Sequence, residues 1–172
     1  MCCAADWMRG AVCVKDVEGE VRLELMGGGP IESEVSVVGQ FFPGVVRLSA
    51  VQGGAFFVRA SNQLAFSFAG PGSCGVERFE QQVIGAGLGD DGLSRMILNI
   101  NEGRMIVDSR AVPSMSRLIF EMPVGRILAQ NALWSLSLAY EPQSRRHHFA
   151  FECAEGLIRY TCLLYTSDAA DE

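Results

Sequence analysis

The sequence predicts an all-β domain, an antiparallel β-sandwich or rolled sheet with little or no helix. Three observations carry this. Apolar and polar residues alternate at period two in one run after another, as strands with one buried face require. Glycine-centred breaks separate those runs at intervals of about 8–12 residues. Ten Phe and 19 Gly stand in a chain that is 49% apolar, the mixture used by strands joined through tight turns.

Residues 11–16 alternate Val12 and Val14 with Cys13 and Lys15, and 17–19 read as a turn. Residues 20–25 set Val21, Leu23 and Leu25 against Glu20, Arg22 and Glu24, a strand wet on one side. The G-G-G-P run at 27–30 is a strong break, and 31–38 resume the alternation. A bend at 39–44 leads into a strand at 45–50, and 52–54 read as a hairpin. Strands at 55–60 and 63–69 flank Ser61 and Asn62, a candidate two-residue turn. Residues 70–72 turn the chain into 74–82, and 82–92 form a long Gly-rich loop.

Residues 94–108 read as two strands around a hairpin at Gly103, with Met96, Leu98 and Ile100 on one face and Asn99 on the other. Residues 117–122 alternate Leu118, Phe120 and Met122 with Ile119 and Glu121, and Pro123 to Gly125 make a corner. Trp134, Leu136, Leu138 and Tyr140 share a face. After a polar turn at 142–146 come a strand at 147–153, a break at 154–156 and a last strand through Tyr160. The total is about twelve short strands, with a short helical turn allowed at 81–88 or 124–134.

A chain of 172 residues suits one domain, expected over 1–161, which can bury roughly 70% of its unfolded surface without a metal or disulfide. With 14 basic and 20 acidic residues the net charge is −6, which excludes a nucleic-acid partner as the expectation. No run of 18 apolar residues exists, so no membrane span is expected. Residues 1–10 lack the order of a signal peptide. Either the protein is cytoplasmic or its true start lies upstream of Met1.

The six cysteines, Cys2, Cys3, Cys13, Cys74, Cys153 and Cys162, form no C-x-x-C pair. Buried apolar thiols are the expectation, with a Cys74–Cys153 bridge left open for an exported protein. The last eleven residues, C-L-L-Y-T-S-D-A-A-D-E at 162–172, match one reading frame of a transposase-type sequencing-library adaptor at every position. They are expected to be a loosely attached tail, with natural chain continuing past Thr161. Setting aside Asp168, Asp171 and Glu172 leaves 17 acidic residues and a net charge of −3.

Sharp chemical motifs are weak. G-x-G-x-x-G at 87–92 needs a following helix to bind a dinucleotide, and a strand is expected instead. Asp90 and Asp91 lack the spacing of a calcium loop. His147 and His148 are neighbours in a strand, so they point to opposite faces and do not share a metal. Arg145 to His148 read as a solvated turn-to-strand junction, with an acidic partner surface or anionic glycan as the alternative. Ser73 and Cys74 are the nearest approach to a nucleophile elbow, and no base is evident. Glu77, Glu80 and Glu121 would support hydrolysis only if they share one cleft. Asn62, Asn99, Asn101 and Asn131 read as turn or strand polars, and Phe41 and Phe42 as core, with a partner contact as the alternative. No catalytic, cofactor-binding or metal residue is therefore expected, and no cofactor.

The order of these signals resembles the FecR-like domain of bacterial envelope regulators. The resemblance rests on G-Q-F-F-P-G at 39–44, the strands of 56–68 around Ser61 and Asn62, I-N-E-G at 100–103, M-P-V-G at 122–125 and A-E-G-L-I at 154–158. It covers about 37–161. The R-G-T-like tripeptide such families carry after the corner is replaced here by Ala129, Gln130 and Asn131. The resemblance implies a non-catalytic signalling or ligand-sensing module of the periplasm or cell envelope. The alternatives are a structural or adhesive domain binding protein or polysaccharide and, less favoured, a glycan-acting hydrolase. A deep cleft of converging carboxylates points to the hydrolase, an exposed apolar edge to binding.

Overall fold

The computed structural model describes residues 6–25, 30–31, 38–83 and 92–163. They form twelve strands: β1 (Asp6–Arg9), β2 (Ala11–Glu18), β3 (Val21–Leu25), β4 (Pro30–Ile31), β5 (Phe41–Pro43), β6 (Val46–Ala50), β7 (Ala55–Ala60), β8 (Ala65–Val83), β9 (Ser94–Asp108), β10 (Arg117–Met122), β11 (Gly125–Glu141) and β12 (Arg146–Cys162). All join one open mixed sheet, and no helix occurs among the described residues. The expected fold class is the one observed.

Four strands are far from short: β8 has 19 residues, β9 15, and β11 and β12 17 each. At about 3.3 Å per residue, 17 straight residues would reach roughly 55 Å, beyond any single compact layer. These strands fold over instead. β8 pairs with β7 through 65–69 and with β6 through 72–76, with register shifts against β9 between Ala69 and Cys74. The first half of β9 lies beside β10 and its second half beside β11. β11 and β12 shift register between Gln130 and Trp134. The two halves of the sheet thus face each other across one apolar core.

Side chains from both halves meet there. Phe120 of β10 packs edge-on against Trp134 of β11, with ring centroids 4.8 Å apart, although the two residues are not sheet partners. Met96, Leu98, Ile100, Leu118, Phe120 and Met122 are buried on one side. Phe66, Phe68, Met105, Val107, Trp134, Leu136 and Leu138 are buried on the other. Each such side chain contributes roughly 1.5–3 kcal/mol.

A buried polar seam closes one side of the fold. Asn62 Nδ2 donates to Ser94 Oγ at 2.9 Å, and the Ser94 amide donates to Ser116 Oγ at 3.0 Å. Asn62 Oδ1 accepts from the Leu64 amide, and Ser109 exchanges hydrogen bonds with Ala132. Asn62 is therefore a pin between β7–β8 and β9–β10, not merely a turn polar.

Several local expectations are corrected. Gly103 is a corner within β9, not a hairpin: its φ is +124°, and a Cβ there would lie 2.4 Å from the Phe68 ring. Gly156 likewise continues β12 through a bend, at φ +85°. Residues 52–54 connect β6 to β7, which are not partners, so no hairpin forms. The turn after β7 spans more than Ser61 and Asn62, because the Ala60 amide donates to the Leu64 carbonyl. The helical turn allowed at 124–134 is strand, and the one at 81–88 falls mostly outside the described residues. β9 and β10 are parallel, with Arg117 beside Arg95, because 109–116 carry the chain back to where β9 began. The strand reaches one residue into the adaptor-like stretch, pairing Cys162 with Gly125; residues 164–172 lie outside the described set.

Gly103→Ala is expected to destabilise the fold by about 2 kcal/mol or more, because Phe68 must move and the backbone resists a side chain at that φ. Gly75→Ala, whose Cβ would meet nothing closer than 3.5 Å, should be neutral within about 0.5 kcal/mol. Urea midpoints of the two variants provide the comparison.

Candidate functional site

β12 is where the sheet stops. Among the described residues it hydrogen-bonds only to β11, leaving its other side open along 17 residues. A strand edge presents unpaired N–H and C=O groups and is a template for another strand. Natural proteins shorten, charge or cover such edges, and β12 is long.

Its inward face is also apolar. Phe149 lies opposite buried Leu138, Phe151 opposite Leu136 and Tyr160 opposite Ile127, so all three point toward the core side of the sheet. The Phe149 and Phe151 rings lie 5.2 and 5.6 Å from that of Tyr160, across the bend at Gly156. They plug the end of the sandwich without closing it: Phe149 remains 38% exposed and Phe151 40%. Tyr140 and His147 extend the same face, with ring centroids 4.9 Å apart. The Tyr160 hydroxyl donates to the Val124 carbonyl at 2.9 Å, and burial raises its pKa.

Charge is polarised along this strand. Arg145, Arg146, His147 and His148 gather at its start, and Glu152 and Glu155 follow the phenylalanines. His148 Nε2 lies 3.5 Å from a Glu141 carboxylate oxygen, and Ser144 donates to the same carboxylate. The Ser144 hydrogen bond, then that of His148, holds Glu141 below the usual carboxylate range. At the bend, Arg110 grips Asp108 with two nitrogens, at 2.8 and 3.0 Å, and reaches Glu155 at 2.9 Å. The Arg110 hydrogen bond outweighs burial and lowers the Asp108 pKa. The sequence reading missed this triad, in which Arg110 and Glu155 are 45 residues apart.

The remaining candidates do not converge. Glu77 accepts from Asn99 at 3.0 Å, Glu80 is paired with Arg78, and Glu121 lines a separate cleft of about 290 Å³ with Asn99, Asn101 and Arg126. Glu77 and Glu80 line one cleft and Glu121 another, so the three do not converge, and Asn99 stands between Glu77 and Glu121. Ser73 Oγ accepts from Asn101 at 3.3 Å and faces no base. Cys74 is buried, and burial pushes its thiol far above the ordinary range. It is free, as is Cys153, which is exposed, so the Cys74–Cys153 bridge does not form and Cys153 departs from the expected burial. Cys2 and Cys3 lie outside the described residues. So do Asp90 and Asp91, and Gly92 leads into strand β9 rather than the helix a dinucleotide requires. His147 and His148 pair with Tyr140 and Ala139 on opposite faces. No group of three metal-ligating side chains occurs among the described residues. Phe42 is core, whereas Phe41 is 67% exposed beneath Lys15.

No family model, curated protein or solved structure matches this chain. No helix among the described residues is long and apolar enough to cross a membrane.

Two outcomes are expected. In the folded protein Cys153 should react with a maleimide within minutes, while Cys13 and Cys74 react only after denaturation; mass spectrometry of the labelled peptides reads this. Asp108, with its lowered pKa, contributes stability above the ordinary carboxylate range that disappears as pH falls through its depressed value. Both side chains are solvent-accessible, so screening makes the contribution small. Asp108→Asn should therefore flatten part of the melting-temperature fall between about pH 5 and pH 2.

Proposed function

We propose that this chain is a non-catalytic protein-docking module of the FecR-like, cell-envelope signalling kind, with β12 as its docking edge. The observation that supports this most is the open β12 strand with half-exposed Phe149 and Phe151 on its inner face. Strand addition at such an edge draws affinity from main-chain hydrogen bonds and specificity from alternate side chains. Phe149, Phe151 and Tyr160 are the side chains an added strand would cover. The separation of Glu121 from the cleft that Glu77 and Glu80 share with Arg9 and Arg78 speaks for docking over hydrolysis.

A polysaccharide reading has one observation of its own. Arg47, Gly75, Asn99, Glu121 and Arg126 are successive cross-strand neighbours on the wet face, a polar row with a gap at Gly75. Amide and charged side chains in such a row suit hydroxyl-rich chains. The row lacks the exposed aromatic platform that β12 has, so docking through β12 is the preferred reading.

A photo-reactive phenylalanine at position 151, introduced into the protein in its native cells, is expected to give a discrete protein adduct. One at position 126 in the polar row should not. Phe149→Lys should abolish the adduct while leaving the melting temperature within a few degrees. Adducts from position 126 alone would contradict the reading.

A further inference from the structure

Resting on β12 as a docking edge, we infer that its partner is a second copy of this chain, paired antiparallel about Ala150. The argument begins with the order of residues along the edge: Arg146, His147, His148, Phe149, Ala150, Phe151, Glu152, Cys153. Basic groups precede the aromatic pair and an acidic group follows it. A two-fold axis at Ala150 sets each residue opposite the one equally far on the other side. His148 then faces Glu152 of the other copy, and Arg146 lies diagonal to the same carboxylate. A parallel arrangement in register would set like charges side by side.

The same axis disposes of the exposed aromatics. Phe149 comes opposite Phe151 of the other copy on the inner face, twice by symmetry, and the two Phe–Tyr160 clusters meet end to end. An isologous contact of this kind requires a self-complementary patch. The edge is complementary to itself in backbone, in charge and in its apolar face together. His148 now lies 3.5 Å from Glu141 in a solvent-exposed contact. Exposed pairs of this kind are weak, so exchange of this partner for Glu152 opposes assembly little. Glu155 is held by Arg110 and stays outside the paired segment.

The test uses the whole 172-residue chain in sedimentation equilibrium up to about 100 µM. A dimer is expected. Glu152→Arg places a cation against Arg146 and His148 of the other copy and should weaken the dimer about tenfold or more. The double variant H148E/E152R restores the complementarity and should recover affinity to within about threefold of the parent. Ala150→Cys, with Cys2, Cys3, Cys153 and Cys162 replaced by Ser, should form an intermolecular disulfide under mild oxidation, since among antiparallel registers only this one sets position 150 against itself; the charge variants exclude the parallel in-register pair. Thermal melts show that each variant is folded.

A monomer at that concentration overturns the inference. So does a dimer that Glu152→Arg leaves intact, or one without the 150–150 bridge. A monomer whose position 151 still captures a different protein in cells removes the second copy but keeps β12 as a docking edge. A monomer with no capture at 151 removes both.

Discussion

The contact between Phe120 and Trp134 expresses the constraint on which this fold depends. Strands of 15 to 19 residues carry apolar side chains on alternate positions along almost their whole length. No single flat layer can cover that much apolar surface. Folding each long strand across its middle makes the two halves cover each other, and the edge-on ring pair, 4.8 Å between centroids, marks where they meet. The corners are a consequence. Gly103 turns where a side chain would strike Phe68, and Asn131 turns at φ +45° beside the bend of β12. The buried Asn62–Ser94–Ser116 hydrogen bonds align the halves where the chain passes between them.

The same construction explains the open edge. Each interior long strand has neighbours for both halves, whereas β12 has β11 on one side and, among the described residues, nothing on the other. Its bend at Gly156 brings Tyr160 back toward Phe149 and Phe151, and the three rings cap the end of the core. A cap made of half-exposed rings on an unpaired backbone is the feature on which the proposed docking rests.

Much of the fold was legible in the alternation. The inward faces of β3, β9 and β10, and the Trp134-to-Leu138 face of β11, are the residues the period-two pattern selects. What the pattern does not contain is whether a glycine folds a strand back beside itself or bends it between layers. Gly103 illustrates this: I-N-E-G has the composition of a hairpin, and the outcome turns on Phe68, 35 positions away, and on the return of 109–116 to the start of β9. The parallel β9–β10 pair escaped for the same reason. The open edge was half legible. The R-R-H-H-F-A-F-E run stood out as a charged junction beside a strand. That β12 is last in the sheet is a property of topology, as is the meeting of Arg110 with Glu155.

The most direct measurement is the set of proton–proton contacts seen by nuclear magnetic resonance around Gly103. A sheet folded across its long strands predicts cross-peaks between the Phe120 and Trp134 rings, and backbone contacts joining 95–99 to 117–121 in a parallel pattern. Close Hα–Hα contacts joining 98–100 to 105–107 would show a hairpin at Gly103 and contradict the account.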